Sequence, residues 1–376
     1  MGKERAETAG TTWDQVNIPE LTGLAASGLV QMFDAESRLF CFRLNRGPNA
    51  VRGRLSPRYT IMTLLGLHRL ETSGGRSPVE VKPILHSLLG SYDWINGIGD
   101  VGLMLWLCAL TSPENLQAIC LSLRVESALD RFQDARHGRT MELAWFMSGL
   151  AHATSAMPAR KRLDLRGLAV RSYEALKKNQ GDHGFFGHQA TGRSCAGILR
   201  GHIGSFADQV YPIYALGQFA QAYNVHPALD MARKCADAIC RAQGPLGQWW
   251  WHYDASRGTV SQRYPVYAVH QDGMAPMALF ALSEATGVDY SEPIYKGLAW
   301  IAGNNQLGRD LRDASSGLIW RSIYRPTGWK KYRDEVGEFL RPVQSAKLVD
   351  DLKILLECRP YHLGWLLYAF AGRDCE

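Results

Sequence analysis

Four carboxylates in this 376-residue chain, Asp100, Glu142, Asp208 and Asp272, each stand at the opening of a long apolar run. A carboxylate there has two uses. It can accept hydrogen bonds from the free N–H groups of a first helical turn, a cap worth ~1 kcal/mol. It can also move protons for a substrate, if burial or a second carboxylate lifts its pKa. Other reactive side chains open runs of the same kind: Arg58 with Tyr59, Tyr211, Tyr264 with Tyr267, His270 with Gln271, and Tyr361 with His362. His270 would suit a general base whose pKa the positive helix end depresses, while a structural histidine bonded to a loop carbonyl fits equally well.

The densest segment is GQWWWHYDASRG, residues 247–258. Trp249, Trp250 and Trp251 cannot all face one core, because neighbouring side chains diverge on a helix or a strand. At least one ring should face a cavity, with His252 beside it. Flat rings next to hydrogen-bonding groups suit a sugar, and they suit a carbocation as well. Arg321, in GLIWRSIYR, could clamp a substrate carboxylate through two N–H groups, or be an ordinary surface arginine.

These residues need elements to hold them. Helical periodicity recurs along the chain and strand signals are nearly absent, so no sheet larger than a short hairpin is expected. Six runs are apolar nearly all round: those from Arg58, Gly99, Thr140 and Pro360, with VYPIYALGQFA (210–220) and RYPVYAVHQDGMA (263–275). The last two align Tyr211 with Tyr264 and Tyr214 with Tyr267, and each proline should sit in a first helical turn. Six amphipathic segments alternate with them, at about 19–32, 79–90, 115–131, 161–178, 227–243 and 291–303. Six buried helices and six half-exposed ones predict an all-α fold, an (α/α)6 toroid of six helical hairpins occupying residues 16–376 as one domain, after a loose tail over 1–15. Two irregular insertions, 181–209 and 304–345, should lie on the rim where the inner helices begin. The adjacent pair Asp350–Asp351 reads as part of a surface helix.

Composition narrows the function. The chain has 42 basic and 36 acidic residues, 46% hydrophobic residues, and arginines scattered along its length, which argues against nucleic-acid binding. No run reaches the ~18 apolar residues of a membrane span, and the start MGKERAETAG carries no signal-like apolar core, so a cytoplasmic protein is expected. The eight cysteines include no CxxC pair and read as buried thiols. His183, His188 and His202 follow no strong metal spacing, and no phosphate-binding or nucleophile-elbow motif occurs. Neither a metal nor another cofactor is expected.

The arrangement resembles two enzyme groups. One is the six-hairpin glycosidases, with the related uronate lyases and epimerases. Unsaturated glucuronyl hydrolases of that group carry a catalytic Asp in an HDxGF-like segment, and GDVGLM (99–104) is a loose counterpart in which Gly99 replaces the histidine. The other is the class II terpenoid cyclases of the squalene–hopene cyclase superfamily, some of them single domains of this length. Their acid lies in DxDDTA, of which GDVGLM keeps one Asp and lacks the flanking acids. The first resemblance implies a small-molecule or oligosaccharide substrate, an acidic glycan in particular, with Asp100 as acid and Glu142 or Asp272 beside it. The second implies a polyprenyl substrate, a cation shielded by Trp250, Tyr264 and Tyr361, and peripheral membrane contact. So many polar groups would be costly around a hydrocarbon, which favours the glycan. A cavity of aliphatic and aromatic side chains below Asp100 would reverse that preference. A toroid that binds glycans without catalysis is a third reading.

Overall fold

A computed structural model describes residues 16–46, 51–157, 165–190, 200–326 and 351–373. The proposed tail, and much of the 304–345 insertion, lie outside these residues.

Inner helices are α2 (Pro57–Thr72), α4 (Ile98–Thr111), α6 (Thr140–Ala156), α8 (Ala207–Tyr223), α10 (Ala275–Thr286, entered through a π turn at His270–Met274) and α12 (Pro360–Phe370). Outer helices are α1 (Ile18–Met32), α3 (Val81–Leu89), α5 (Leu116–Ser122), α7 (Arg166–Lys177), α9 (His226–Arg241) and α11 (Ser291–Ile301). Each inner helix packs on the next, α12 returns to α2, and α1 covers α12, so the ring closes. Closure requires near approach of backbones. A Cβ on Gly66 would strike the Gly364 backbone, and one on Gly102 would strike Trp145 and Phe146, so glycine lets α2 meet α12 and α4 meet α6. The inner helices are apolar all round because they are buried all round: in α4 every residue from Ile98 to Ala109 is buried. In α9 only one face is apolar, and Ala228, Ala232, Cys235, Ala236 and Ile239 line it.

The axis is filled rather than hollow. Trp106 stacks on Tyr214 at 4.7 Å between centroids and meets Trp365 at 5.6 Å, while Tyr211 meets Trp145 at 5.0 Å. The six described cysteines, at 41, 108, 120, 235, 240 and 358, are free thiols. No helix among the described residues is long and apolar enough to cross a membrane.

Several sequence-based expectations need correction. Short strands form three three-stranded sheets, more than the hairpin expected: Leu44–Asn45 with Val51–Arg52 and Glu357–Cys358; Ile203–Ser205 with His252–Asp254 and Thr259–Gln262; and Val266–Tyr267 with Ser322–Tyr324 and Lys353–Leu355. Strands of two to four residues are too short for alternation to register. The expected surface helix after Asp351 is the strand Lys353–Leu355; Asp350 lies outside the described residues. The amphipathic run 115–131 is α5 followed by short turns rather than one helix.

The repeat alignment also fails. Tyr211 and Tyr214 lie within α8, with Pro212 in its interior, whereas Tyr264 to Tyr267 precede the fifth inner helix on extended chain. Function in the fold pairs Gln209 with Gln271 instead. Gln209 binds both backbone groups of Phe186 (2.7 and 2.8 Å), and Gln271 accepts from the Trp249 N–H (3.0 Å) and donates to the Tyr267 carbonyl (2.9 Å). Each glutamine ties the loop before its helix to the ring.

Candidate functional site

The inner-helix starts converge on one rim, as the sequence implies, and there the four carboxylates separate by environment. Arg58, at the start of α2, joins two of them. Its Nε donates to Asp100 Oδ1 at 2.6 Å and its Nη1 to Glu142 Oε1 at 3.4 Å, while its guanidinium lies 5.4 Å from the Trp145 ring centroid. Asp100 also accepts the Asn96 N–H at 3.0 Å. Glu142 Oε2 accepts the Gly99 N–H at 3.0 Å, so an acid on α6 caps α4. Asp208 repeats the arrangement one helix on, accepting from the Met141 N–H at the start of α6 (3.2 Å). Its other oxygen takes the Ser205 N–H and hydroxyl and faces His188 Nδ1 at 3.3 Å. Glu142 and Asp208 therefore do cap, but they cap the preceding inner helix rather than their own.

Glu142 is buried beside two further acids and one arginine. Burial pushes its carboxyl up to about 7, with Asp134 and Asp100 adding to the effect and Arg58 opposing it. Behind Arg58, which Glu142 contacts, opens a cleft of about 660 Å³ whose walls include Phe42, Arg43, Arg54, Arg58, Trp94 and Asp100. A carboxyl that keeps its proton near neutrality in contact with an arginine that walls a cleft is placed to supply a proton there.

Asp272 and His362 are the opposite case. Both are buried, and His362 Nε2 sits 2.8 Å from each Asp272 oxygen. Burial raises the Asp272 pKa against the pull of His362. This pair joins α12 to the fifth inner helix, and the two side chains predicted to meet substrate instead meet each other.

Tyrosines floor the rim. Tyr59 and Tyr361 lie 4.5 Å apart between centroids, Arg359 Nη1 donates to the Tyr59 hydroxyl at 2.9 Å, and Tyr267 sits under the Arg321 guanidinium at 4.9 Å. His270 lies 5.1 Å from Tyr267, and its buried Nδ1 has no hydrogen-bond partner among the described residues. Burial, then Arg321, holds its pKa well below the ordinary value, so the imidazole is neutral. Arg321 does not stand alone. It donates to Glu357 Oε1 at 2.7 Å, as Arg359 does, and Arg43 reaches the other Glu357 oxygen at 3.4 Å.

The tryptophan triplet splits as its geometry requires. Trp249 is fully buried against Phe206 and is core, a correction to its expected substrate role. Trp250 is also buried, though Arg263 covers its ring at 5.3 Å. Trp251 is the half-exposed one, 4.3 Å from the His252 ring and 5.8 Å from Tyr267. His252 in turn bonds Gln262 at 2.9 Å. Gln271 and Tyr211 are likewise corrected to structural parts, one a loop tie and the other wedged beside Trp145. Sequence reading missed Arg359, Glu357 and Arg43. All lie on or beside the sheet strands at 44–45 and 357–358, and only the three-arginine pattern around one acid could have signalled them. No group of three or more His, Cys, Asp or Glu that could hold a metal ion gathers among the described residues.

No protein-family model matches this sequence, and no curated protein does either. Solved structures do match in shape. A possible member of the GH105 family from Salmonella enterica aligns with TM-score 0.60 at 11% identity over 98% of this chain and 96% of its own. The unsaturated glucuronyl hydrolase of Bacillus sp. GL1, responsible for glycosaminoglycan degradation, aligns with TM-score 0.56 at 14% identity over 95% and 96%. That of Streptococcus agalactiae, seen with dGlcA-GalNAc6S, aligns with TM-score 0.59 at 12% identity over 99% and 98%. The resemblance to six-hairpin toroid glycosidases therefore holds for the fold.

Proposed function

We propose that this protein is a carbohydrate-active enzyme that uses acid/base chemistry on a glycan bearing acidic sugars, with Glu142 as the proton donor. The observation that carries the reading is the Asp100–Arg58–Glu142 cluster: a buried carboxyl lifted to about 7, beside a carboxylate paired with an arginine, at a cleft of about 660 Å³. Asp100 binds and orients Arg58, and Arg58 faces the leaving or attacking oxygen. The acid role thus moves from Asp100 to Glu142, the carboxyl that burial lifts toward neutrality. Solved toroids of the same shape are described as glycan hydrolases, in agreement with this reading.

A second chemistry has one specific observation behind it. His270 presents an unpartnered, neutral nitrogen beside Tyr267 and Arg321, a set suited to taking a proton next to a sugar carboxylate, as a lyase or epimerase does. Cyclase chemistry fits less well. The residues below Asp100 are indeed aromatic, but they pack against one another, and Trp106 and Trp365 are fully buried, so they leave no room on that axis for a folded polyprenyl chain.

The test is a substrate panel read by mass spectrometry: uronate-containing oligosaccharides, neutral oligosaccharides and polyprenyl chains. Gain of water on a uronate-containing glycan supports hydrolysis by Glu142, and cleavage without it supports the His270 chemistry. Isomerised polyprenyl products with all glycans untouched would overturn the proposal.

A further inference from the structure

The arginines that are scattered in sequence gather in space. Arg263 covers the Trp250 ring at 5.3 Å and Arg325 covers Tyr264 at 5.4 Å. Trp250 and Tyr264 touch edge to face at 6.3 Å. Further along the same ribbon come Arg321 on Tyr267 and then, through Glu357, Arg359 on Phe42 at 4.4 Å. Two linked groups thus lie along the chain, Arg263–Trp250–Tyr264–Arg325 and Tyr267–Arg321–Glu357–Arg359–Arg43, joined in sequence through residues 264–267 and 321–325, and the second reaches the cleft that Arg43 and Arg58 line. Along the strand, Arg321 and Arg325 are four residues apart, about 13 Å at the usual rise, which is longer than one sugar ring.

Charge does not balance along this path. Among the described residues, the carboxylates that contact its arginines are Asp100 and Glu142 at the cleft end and Glu357 in the middle. Among the described residues, Arg263 and Arg325 meet no carboxylate and the buried Nε of Arg325 has no hydrogen-bond partner. The buried Nδ1 of His270, next to Tyr267, is a second polar atom waiting for one.

We propose that this ladder is the track for an extended polyanionic glycan, a chain of several acidic sugars whose end reaches the cleft beside Glu142. This rests on the carbohydrate reading and adds the substrate's length and charge pattern to it. The stacking geometry selects the ligand. Ring faces under a guanidinium are already covered, so the rings serve to fix the arginine planes, and it is the N–H edges that are left to meet anions. A single-stranded nucleic acid would want the opposite, open ring faces for its bases.

The experiment uses oligogalacturonides of two to eight residues, neutral xylo-oligosaccharides of equal length, and a short oligo-dT, titrated into the intact protein by calorimetry at low and high salt. The expected result is affinity for the acidic series that rises with length and falls with salt, and weaker binding of the neutral series. Arg263→Gln and Arg325→Gln should each weaken the acidic hexamer about tenfold and the dimer less than twofold, as loss of a charge-assisted contact far from the cleft would. Circular dichroism confirms that each variant is folded. Equal affinity for dimer and hexamer, equal binding of the neutral series, or tighter binding of oligo-dT would each overturn the track. Length-dependent acidic binding without any turnover would instead sink the enzymatic reading and leave the track standing.

Discussion

Two carboxylate–cation groups sit on the same rim, at the starts of inner helices, and they are built for different ends. Asp100, Arg58 and Glu142 stand at a cleft, with Arg58 about a third exposed at its side chain. Asp272 and His362 are sealed, with side-chain exposures of 0% and 3%. Residue type and helix position are nearly the same in the two. What separates them is the number of partners and access: Asp272 spends both oxygens on one imidazole, whereas a single arginine divides itself between Asp100 and Glu142. The second group is mechanical and the first is left with chemistry to do.

Substitutions sharpen that contrast, beginning with the largest effect. Glu142→Gln keeps the shape and can still accept the Gly99 N–H, but it has no acidic proton to give. Turnover of the responsive glycan should fall by about 10²–10⁴, the usual weight of general acid catalysis, with an unchanged helical circular dichroism spectrum. Asp272→Ala should act on folding instead. Leaving His362 buried and unpaired costs about 3–5 kcal/mol, seen as an earlier denaturation midpoint, while any enzyme that stays folded should keep most of its turnover. If the two variants showed the same loss of both folding and turnover, the distinction between the groups would be false.

How far the sequence alone reveals this is uneven, for physical reasons. Six all-round apolar runs alternating with six amphipathic ones announce a closed double ring, because only burial on every side permits a sequence such as that of α4. The rim residues were visible too, since polar side chains at the start of apolar helices are conspicuous. Their separation into site and scaffold was not. Nothing in HQDG or PYHL says that Asp272 and His362 face each other across two helices 90 residues apart in sequence. The Glu357–Arg321–Arg359 knot was hidden for the same reason, because strands of two or three residues set it and leave no periodic mark.

Asp208→Ala gives a smaller effect that tests the capping of one inner helix by the next. It frees the Met141 N–H and both Ser205 donors, and should lower stability by about 0.5–2 kcal/mol in denaturant unfolding. A loss confined to turnover, with stability intact, would make Asp208 a reacting group rather than a cap.

Smallest is the pH effect on folding. The Glu142 carboxyl is raised on folding, so its contribution to stability is present below the ordinary value of 4.5 and is lost as pH rises through about 7. Glu142→Gln should therefore flatten that part of the stability profile and melt no earlier than the parent at pH 8. A variant that melts earlier at every pH would show that the carboxylate form is the one the fold favours.

The most direct measurement is the ionisation of Glu142 itself. Carboxyl-¹³C glutamate labelling, with Glu142→Gln to identify the resonance, gives the titration of this one group in the intact protein. The account predicts a midpoint near 7, matched by the basic limb of kcat/KM on an acidic glycan. A midpoint near 4.5, in the ordinary glutamate range, would contradict it.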